Sequence, residues 1–335
     1  MSDPDAPDDE PVESVWDDAP AAEAVEQVVL APPLTSRQRF IRRFRTQRLA
    51  VASLIFLIFV ALVAIFAPWL TPADPDKIDL GNVLQAPPGG KGLGTDQLGR
   101  DALSRLIVAT RVSIQAAVQS VAIGVLLGVP LGLLAGYFGG WIDALIMRIT
   151  DAVLAFPALI LAIAVIAALG PNLTNAMIAI GIIFAPRFLR LARAEVLAIR
   201  EETYIEAAQS IGTPSWKILV RHVLPNALPP LIVQASLSAG FAMLAEAGLS
   251  FLGLGVQPPQ ASWGSMLAEA AAAINREWTL MLAPGICIIV ITLAFNILGD
   301  GLRDSIGRET RTGAADAPVD DAGLTITGPS GSGES

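Results

Sequence analysis

The chain has 335 residues, of which 53% are hydrophobic and only 16% charged; a water-soluble domain of this length carries about a quarter charged residues, so an ordinary soluble globule is excluded. The net charge of −9 belongs to one end: ten acidic and no basic residues lie within positions 1–36, and the remainder nets +1. The acidity describes a tail, not a working surface.

Residues 1–35, rich in Asp, Glu, Ala and Pro, are predicted to be disordered. Arg37, Arg39, Arg42, Arg43, Arg45 and Arg48 follow, directly before the first of six apolar segments, at about 49–70, 112–136, 144–168, 173–195, 228–250 and 279–300. Each reaches the roughly 20 residues that span a bilayer as a helix. Backbone polar groups must be paired inside hydrocarbon, so an all-α integral membrane protein with six transmembrane helices is expected. The arginine cluster places the N-terminus in the cytoplasm, and the first span reads as a retained anchor, too long and too far in for a signal peptide. Alternation then puts 71–111, 169–172 and 251–278 outside, and 137–143, 196–227 and the C-terminus inside. Segment 71–111 carries Lys77, Lys91, Arg100, Arg105 and Arg111 against that rule, offset by five Asp. Residues 305–335 read as a second disordered tail.

Within the spans, Gly124, Gly128, Gly132 and Gly136 recur every fourth residue, which puts them on one helix face and allows a neighbouring backbone to approach closely. Pro130, Pro157 and Pro186 predict kinks in the second, third and fourth spans. Glu246, in the outer half of the fifth, is an intramembrane carboxylate that either faces a path or joins two helices through hydrogen bonds. Arg148 and Asp151 stand three apart and are expected to pair. The lone Cys287 sits in an apolar run and reads as a packing residue; no disulfide within the chain is available to it. The Gly-rich segment 87–105 reads equally as a contact for another protein or as a cap over the bundle.

Between the fourth and fifth spans lies EAAQSIGTPSWKILVRHVLPN, residues 206–226. Residues 201–211 favour helix, with Tyr204, Ala207, Ala208 and Ile211 on one face. Gly212 suits a left-handed helix terminus, Thr213 a cap, and Pro214 a first turn. The second helix should stop before Pro225. Trp216, Leu219, Val220 and Val223 follow an i, i+3, i+4, i+7 stripe, with Lys217 and Arg221 opposite. An amphipathic helix–turn–helix of this kind either lies on lipid headgroups or fits a groove on a partner.

The residues themselves decide between these. Glu206-Ala207-Ala208, Gly212 and Leu224-Pro225 resemble the EAA–G–LP signature of permease subunits of binding-protein-dependent ABC importers. GTDQLGRDALSRL at 94–106, EAGLSFLGLGVQPP at 246–259, SWGSML at 262–267 and NILGDGLRDS at 296–305 resemble the C-type permease of dipeptide and oligopeptide importers. The resemblance covers residues 36 to about 307. It departs at His222, where the general pattern has an aliphatic residue, and at GRE 307–309, where the family has Asp-Pro-Arg. It implies a type I importer permease fold and a coupling loop at 201–226 docked on a cytoplasmic ATPase. Ala207 and Ala208 would allow close approach, Gly212 would set the angle, and Glu206 would pair or cap. It further implies a B-type permease partner, two ATPase subunits that use ATP and Mg, an extracytoplasmic binding protein, and a bacterial cytoplasmic membrane location. Peptides are the implied substrate, with nickel or another small solute as the alternative; the implied partners include lipid and no nucleic acid.

Other classes fit poorly. GGKG at 89–92 lacks the upstream glycine of a phosphate loop, so ATP binding by that route is not expected. One His and one Cys assemble no metal cluster, no cofactor is expected on the chain, and it is not read as an enzyme. An intramembrane hydrolase needs paired catalytic groups at one depth, and a secondary transporter needs coupling-ion residues at the midplane; neither array is present.

Overall fold

The computed structural model describes residues 36–86 and 92–307. The tails expected to be disordered, 1–35 and the part of 305–335 beyond 307, lie outside the described residues, as does most of GGKG.

The described chain is almost entirely helical. Helix α1 (Ser36–Thr46) is basic and amphipathic, and α2 (Arg48–Leu70) is apolar throughout. Helix α3 (Ala102–Phe138) begins ten residues before the apolar run, because the Asp101 carboxylate accepts from the Ser104 amide (2.8 Å) and hydroxyl (2.6 Å) and caps the helix there. Residues 102–111, expected in the outer loop, are therefore helix.

The expected third span is broken in two. Helices α4 (Gly140–Leu154) and α5 (Ala158–Leu169) meet at 93°, where a proline kink was predicted. Pro157 disfavours helical geometry at Phe156 and precedes the first helical residue of α5, so it separates two helices. Helix α6 (Leu173–Ile199) continues through Pro186, and α3 through Pro130. After the short helices α7 (Thr203–Ser210) and α8 (Ser215–Ile218) come α9 (Leu224–Phe251), α10 (Trp263–Ala272) and α11 (Leu282–Gly307). Among the described residues, five helices are long and apolar enough to cross a membrane, six spans if the bent pair counts as one. Helix α11 corrects the expected tail boundary: Ser305 is buried and its hydroxyl donates to the Gly301 carbonyl (2.7 Å).

The most extensive helix pair is α3 with α6, and the glycine row lies in it. A Cβ at Gly132 would stand 2.5 Å from the Leu189 carbonyl oxygen, and one at Gly136 2.7 Å from the Val196 Cβ. At Gly128 it would run into the Ala185 carbonyl, and at Gly124 it would meet Phe184 at 3.0 Å. No side chain fits there, so the two backbones touch directly. Helices α9 and α11, α2 and α11, and α2 and α3 complete the bundle.

Over one end lies a cap made of the segment preceding α3 together with α10. Arg100 and Arg105, both buried, meet Asp96 at 2.6 and 3.3 Å and Glu269 of α10 at 3.1 and 3.2 Å. Of the two readings of segment 87–105, its described part forms a cap packed on the bundle.

Candidate functional site

The stretch that links α6 to α9 is built on a tight glycine turn. Gly212 has φ +77°, which an L side chain rarely adopts. Its amide donates to the Gln209 carbonyl (2.9 Å) and the Thr213 amide to the Ala208 carbonyl (3.0 Å), the paired bonds of a Schellman terminus. Pro214, in extended conformation, precedes the next helix at the capping position where Thr213 was expected.

The second helix does not stop before Pro225. Residues 215–251 form one continuous helical stretch, interrupted only by a π-helical turn, Leu219–Val223, in which the Leu224 amide reaches the Leu219 carbonyl. A proline ring in a regular α-helix collides with the carbonyl four residues before it. Widening the turn just ahead of Pro225 removes that collision, and the Asn226 side chain donates to the His222 carbonyl (2.7 Å). The docking-type helix thus runs without a break into the membrane span rather than ending in a separate loop.

The expected apolar stripe divides between two faces. Leu219 and Val223 are buried, whereas Trp216 is 68% and Val220 58% exposed. The side chains that hold the pair down are Ile205 and Ile218, which together with Val196 at the end of α6 form a small second core. Burying a side chain of that size stabilises by about 1.5–3 kcal/mol, enough to fix two short helices that would not form alone. Ile205 and Ile218 lie off the i, i+3, i+4, i+7 stripe of Trp216, Leu219, Val220 and Val223, so that pattern does not mark them. Their signal was that apolar residues occupy both sides of 215–223.

On the outer side of the pair stand Tyr204, Ile211, Trp216 and Val220, all exposed, with Ile211 at 83%. Glu206 and Ala207 are exposed beside them, and Ala208 is half-buried against the small core. The Tyr204 hydroxyl accepts from the Asn226 side chain (3.2 Å), which ties α7 to the base of α9, and its ring stands 6.5 Å from that of His222. Leu224 is half-buried and Pro225 exposed.

The remaining residues lie elsewhere. Glu246 is 1% exposed; the Ser250 hydroxyl donates to it at 2.6 Å, and its carboxyl lies beside the Ser113 and Ser262 side chains. It thereby joins α3, α9 and the cap rather than facing open space. Asp151 pairs with Arg190 of α6 (2.7 Å), not with Arg148, which is exposed. The partner is on another helix because α4 lies against α6, where Asp143 also accepts from Arg193 Nε and Nη2, each at 2.6 Å. Neither the Asp143–Arg193 pair nor the bond from Arg105 to Glu269 was read from the sequence.

Fold and surface together define a multi-span helical membrane protein with a short, rigidly held helix pair between two of its spans. Residues 128–312 match the family described as binding-protein-dependent transport system inner membrane component, and residues 35–88 match the N-terminal TM domain of oligopeptide transport permease C. The chain is 44% identical over 266 residues to a dipeptide transport system permease of Alkalihalophilus pseudofirmus, covering 79% of this chain and 87% of that one. It is 45% identical over 256 residues to a probable D,D-dipeptide transport system permease of Escherichia coli, covering 76% and 86%. A glutathione transport system permease of Shigella flexneri is 44% identical over 273 residues, covering 81% and 90%. A solved chain of the MetNI methionine ABC transporter, inward facing, aligns at TM-score 0.49 and 19% identity, over 61% of this chain and 97% of that chain. The protein belongs to the family of inner membrane components of binding-protein-dependent transport systems, the ABC importer permeases. It is a multi-pass protein of the bacterial cytoplasmic membrane.

Proposed function

We propose that this chain is the C-type permease subunit of an ATP-driven peptide importer and that residues 201–226 couple it to a cytoplasmic ATPase. The reading of peptides as substrate rests on the relatives, whose names specify dipeptides and glutathione. The observation that carries the coupling role is the exposure of Tyr204, Ile211, Trp216 and Val220 on helices fixed to α6 and α9. Large apolar groups clustered outside the spans call for a covering partner. Glu206, Ala207 and Gly212 lie in the same surface, and Leu224 and Pro225 mark where it enters the span. A push on α8 acts directly on α9, since the two are one continuous helix. ATP binding by the partner then shifts the spans only if the docked surface interacts differently in its two states.

The work is divided among subunits. ATP and Mg are used by two separate ATPase subunits, in keeping with the missing phosphate loop in this sequence. A B-type permease supplies the second half of the path, and an extracytoplasmic binding protein delivers the substrate. The arginine-rich flank of α2 and the arginines of α6 support a cytoplasmic position for the helix pair.

Gly212→Val tests this reading. Nothing lies within 4 Å of a Cβ at that position, so the substitution strains the turn without a collision. Proteoliposomes holding the complete importer should keep hydrolysing ATP while peptide uptake falls. Uptake at the wild-type ratio of peptide to ATP would refute the coupling assignment.

A further inference from the structure

A cavity of about 600 Å³ lies where α1 and α2 meet the end of α11. Four charged side chains line it, two of each sign: Arg43 and Arg48 on one side, Asp300 and Asp304 on the other. None of the four is within 4 Å of an opposite charge among the described residues, although the bundle elsewhere pairs its charges closely. Arg43 Nη1 is inaccessible to solvent and without a hydrogen-bond partner. Two positive and two negative side chains left without ion-pair partners among the described residues around one cavity point to an occupant that brings charges of both signs.

Its location and shape narrow the occupant. The start of α2 and the end of α11 are held together by the Gln47 side chain, which donates to the Ser305 hydroxyl (3.4 Å), and by Ala50 in contact range of Gly301. Both helices are spans, so this is the level at which the bundle leaves the bilayer. Leu49, largely exposed, and Ile297 continue the same wall with apolar surface. A ligand here meets positive charge, negative charge and hydrocarbon at once. The lining carries no net charge, which disfavours a purely anionic headgroup and fits a zwitterion.

We propose that this cavity binds a phosphatidylethanolamine headgroup, with the phosphate on Arg43 and Arg48 and the ammonium on Asp300 and Asp304. Arginine suits the phosphate because its fork presents parallel donors. The primary ammonium brings three N–H donors to two carboxylates; a choline headgroup carries the charge without donors, and a glycerol headgroup lacks the charge. The assignment is independent of which substrate the transporter carries.

The test is lipid retention by the purified full-length chain, measured by native mass spectrometry after exchange into micelles containing equal phosphatidylethanolamine, phosphatidylcholine and phosphatidylglycerol. The wild type should retain phosphatidylethanolamine about tenfold over either other lipid, the worth of a charge-assisted hydrogen bond. Asp300→Asn with Asp304→Asn should abolish the preference while phospholipid is still bound. Arg43→Gln with Arg48→Gln should lower retention of all three. Asp300, Asp304 and Arg48 are exposed, so these changes leave the packing intact, and the single Asp304→Asn serves if a double variant is unstable. Equal retention of the three lipids by the wild type would overturn the proposal, as would an unchanged preference in the aspartate variant. Displacement of the lipid by millimolar free phosphoethanolamine would overturn its assignment to a membrane lipid.

Discussion

The two ends of the bundle treat their polar and apolar side chains in opposite ways. At the capped end, charges that a membrane protein cannot easily bury are neutralised internally: Arg100, Arg105, Asp96 and Glu269 form one network across 164 or more residues of sequence. At the other end, the helix pair 203–223 satisfies its backbone and buries Ile205 and Ile218, yet leaves Trp216, Val220, Tyr204 and Ile211 bare. At the first end these charges meet one another within this chain. The second is rigid but incomplete, which is what a surface for another subunit requires.

That contrast can be broken, starting from the capped end. Arg105→Met should be the most damaging change, since Arg105 is 1% exposed and its loss leaves Asp96 and Glu269 to share the single Arg100. About 3–5 kcal/mol of stability should go, read as a lower melting temperature in detergent. Gly132→Val, in the α3–α6 contact, should cost about 1–3 kcal/mol by the same measurement, because neither backbone can retreat. Gly212→Val should cost about 1–2 kcal/mol, the strain of a left-handed β-branched residue, while abolishing coupling. Trp216→Ala should lie within about 0.5 kcal/mol of wild type, because that ring covers nothing in this chain. A large destabilisation by Trp216→Ala would show that the two ends do not differ as described.

What was legible in the sequence follows from how local each cause is. Span α2, the glycine row and the Gly212 turn are decided by residues within a few positions of one another, and all three could be read directly. The Asp101 cap that lengthens α3 was equally local, but the apolar run drew the boundary inward. Pro157 and Pro186 look alike in sequence; one separates two helices and the other sits inside one. The face on which α7 and α8 bury depends on Val196, and the sequence carries no mark that Val196 ends α6 beneath them. Glu269 and Arg105 likewise meet only because α10 folds back over α3. The apolar stripe expected on one face is divided in the structure: Leu219 and Val223 are buried, while Trp216 and Val220 are exposed together with Tyr204 and Ile211.

The most direct test of the account is how much ATPase subunit copurifies with the affinity-tagged chain when Trp216→Glu and Val220→Glu are introduced together. Both side chains are exposed, so the permease should still fold and reach the membrane, while the bound ATPase falls at least tenfold, the loss of two apolar anchors at an interface. ATPase retained at the wild-type ratio, with the variant folded, would contradict the assignment of this surface to the energy-supplying partner.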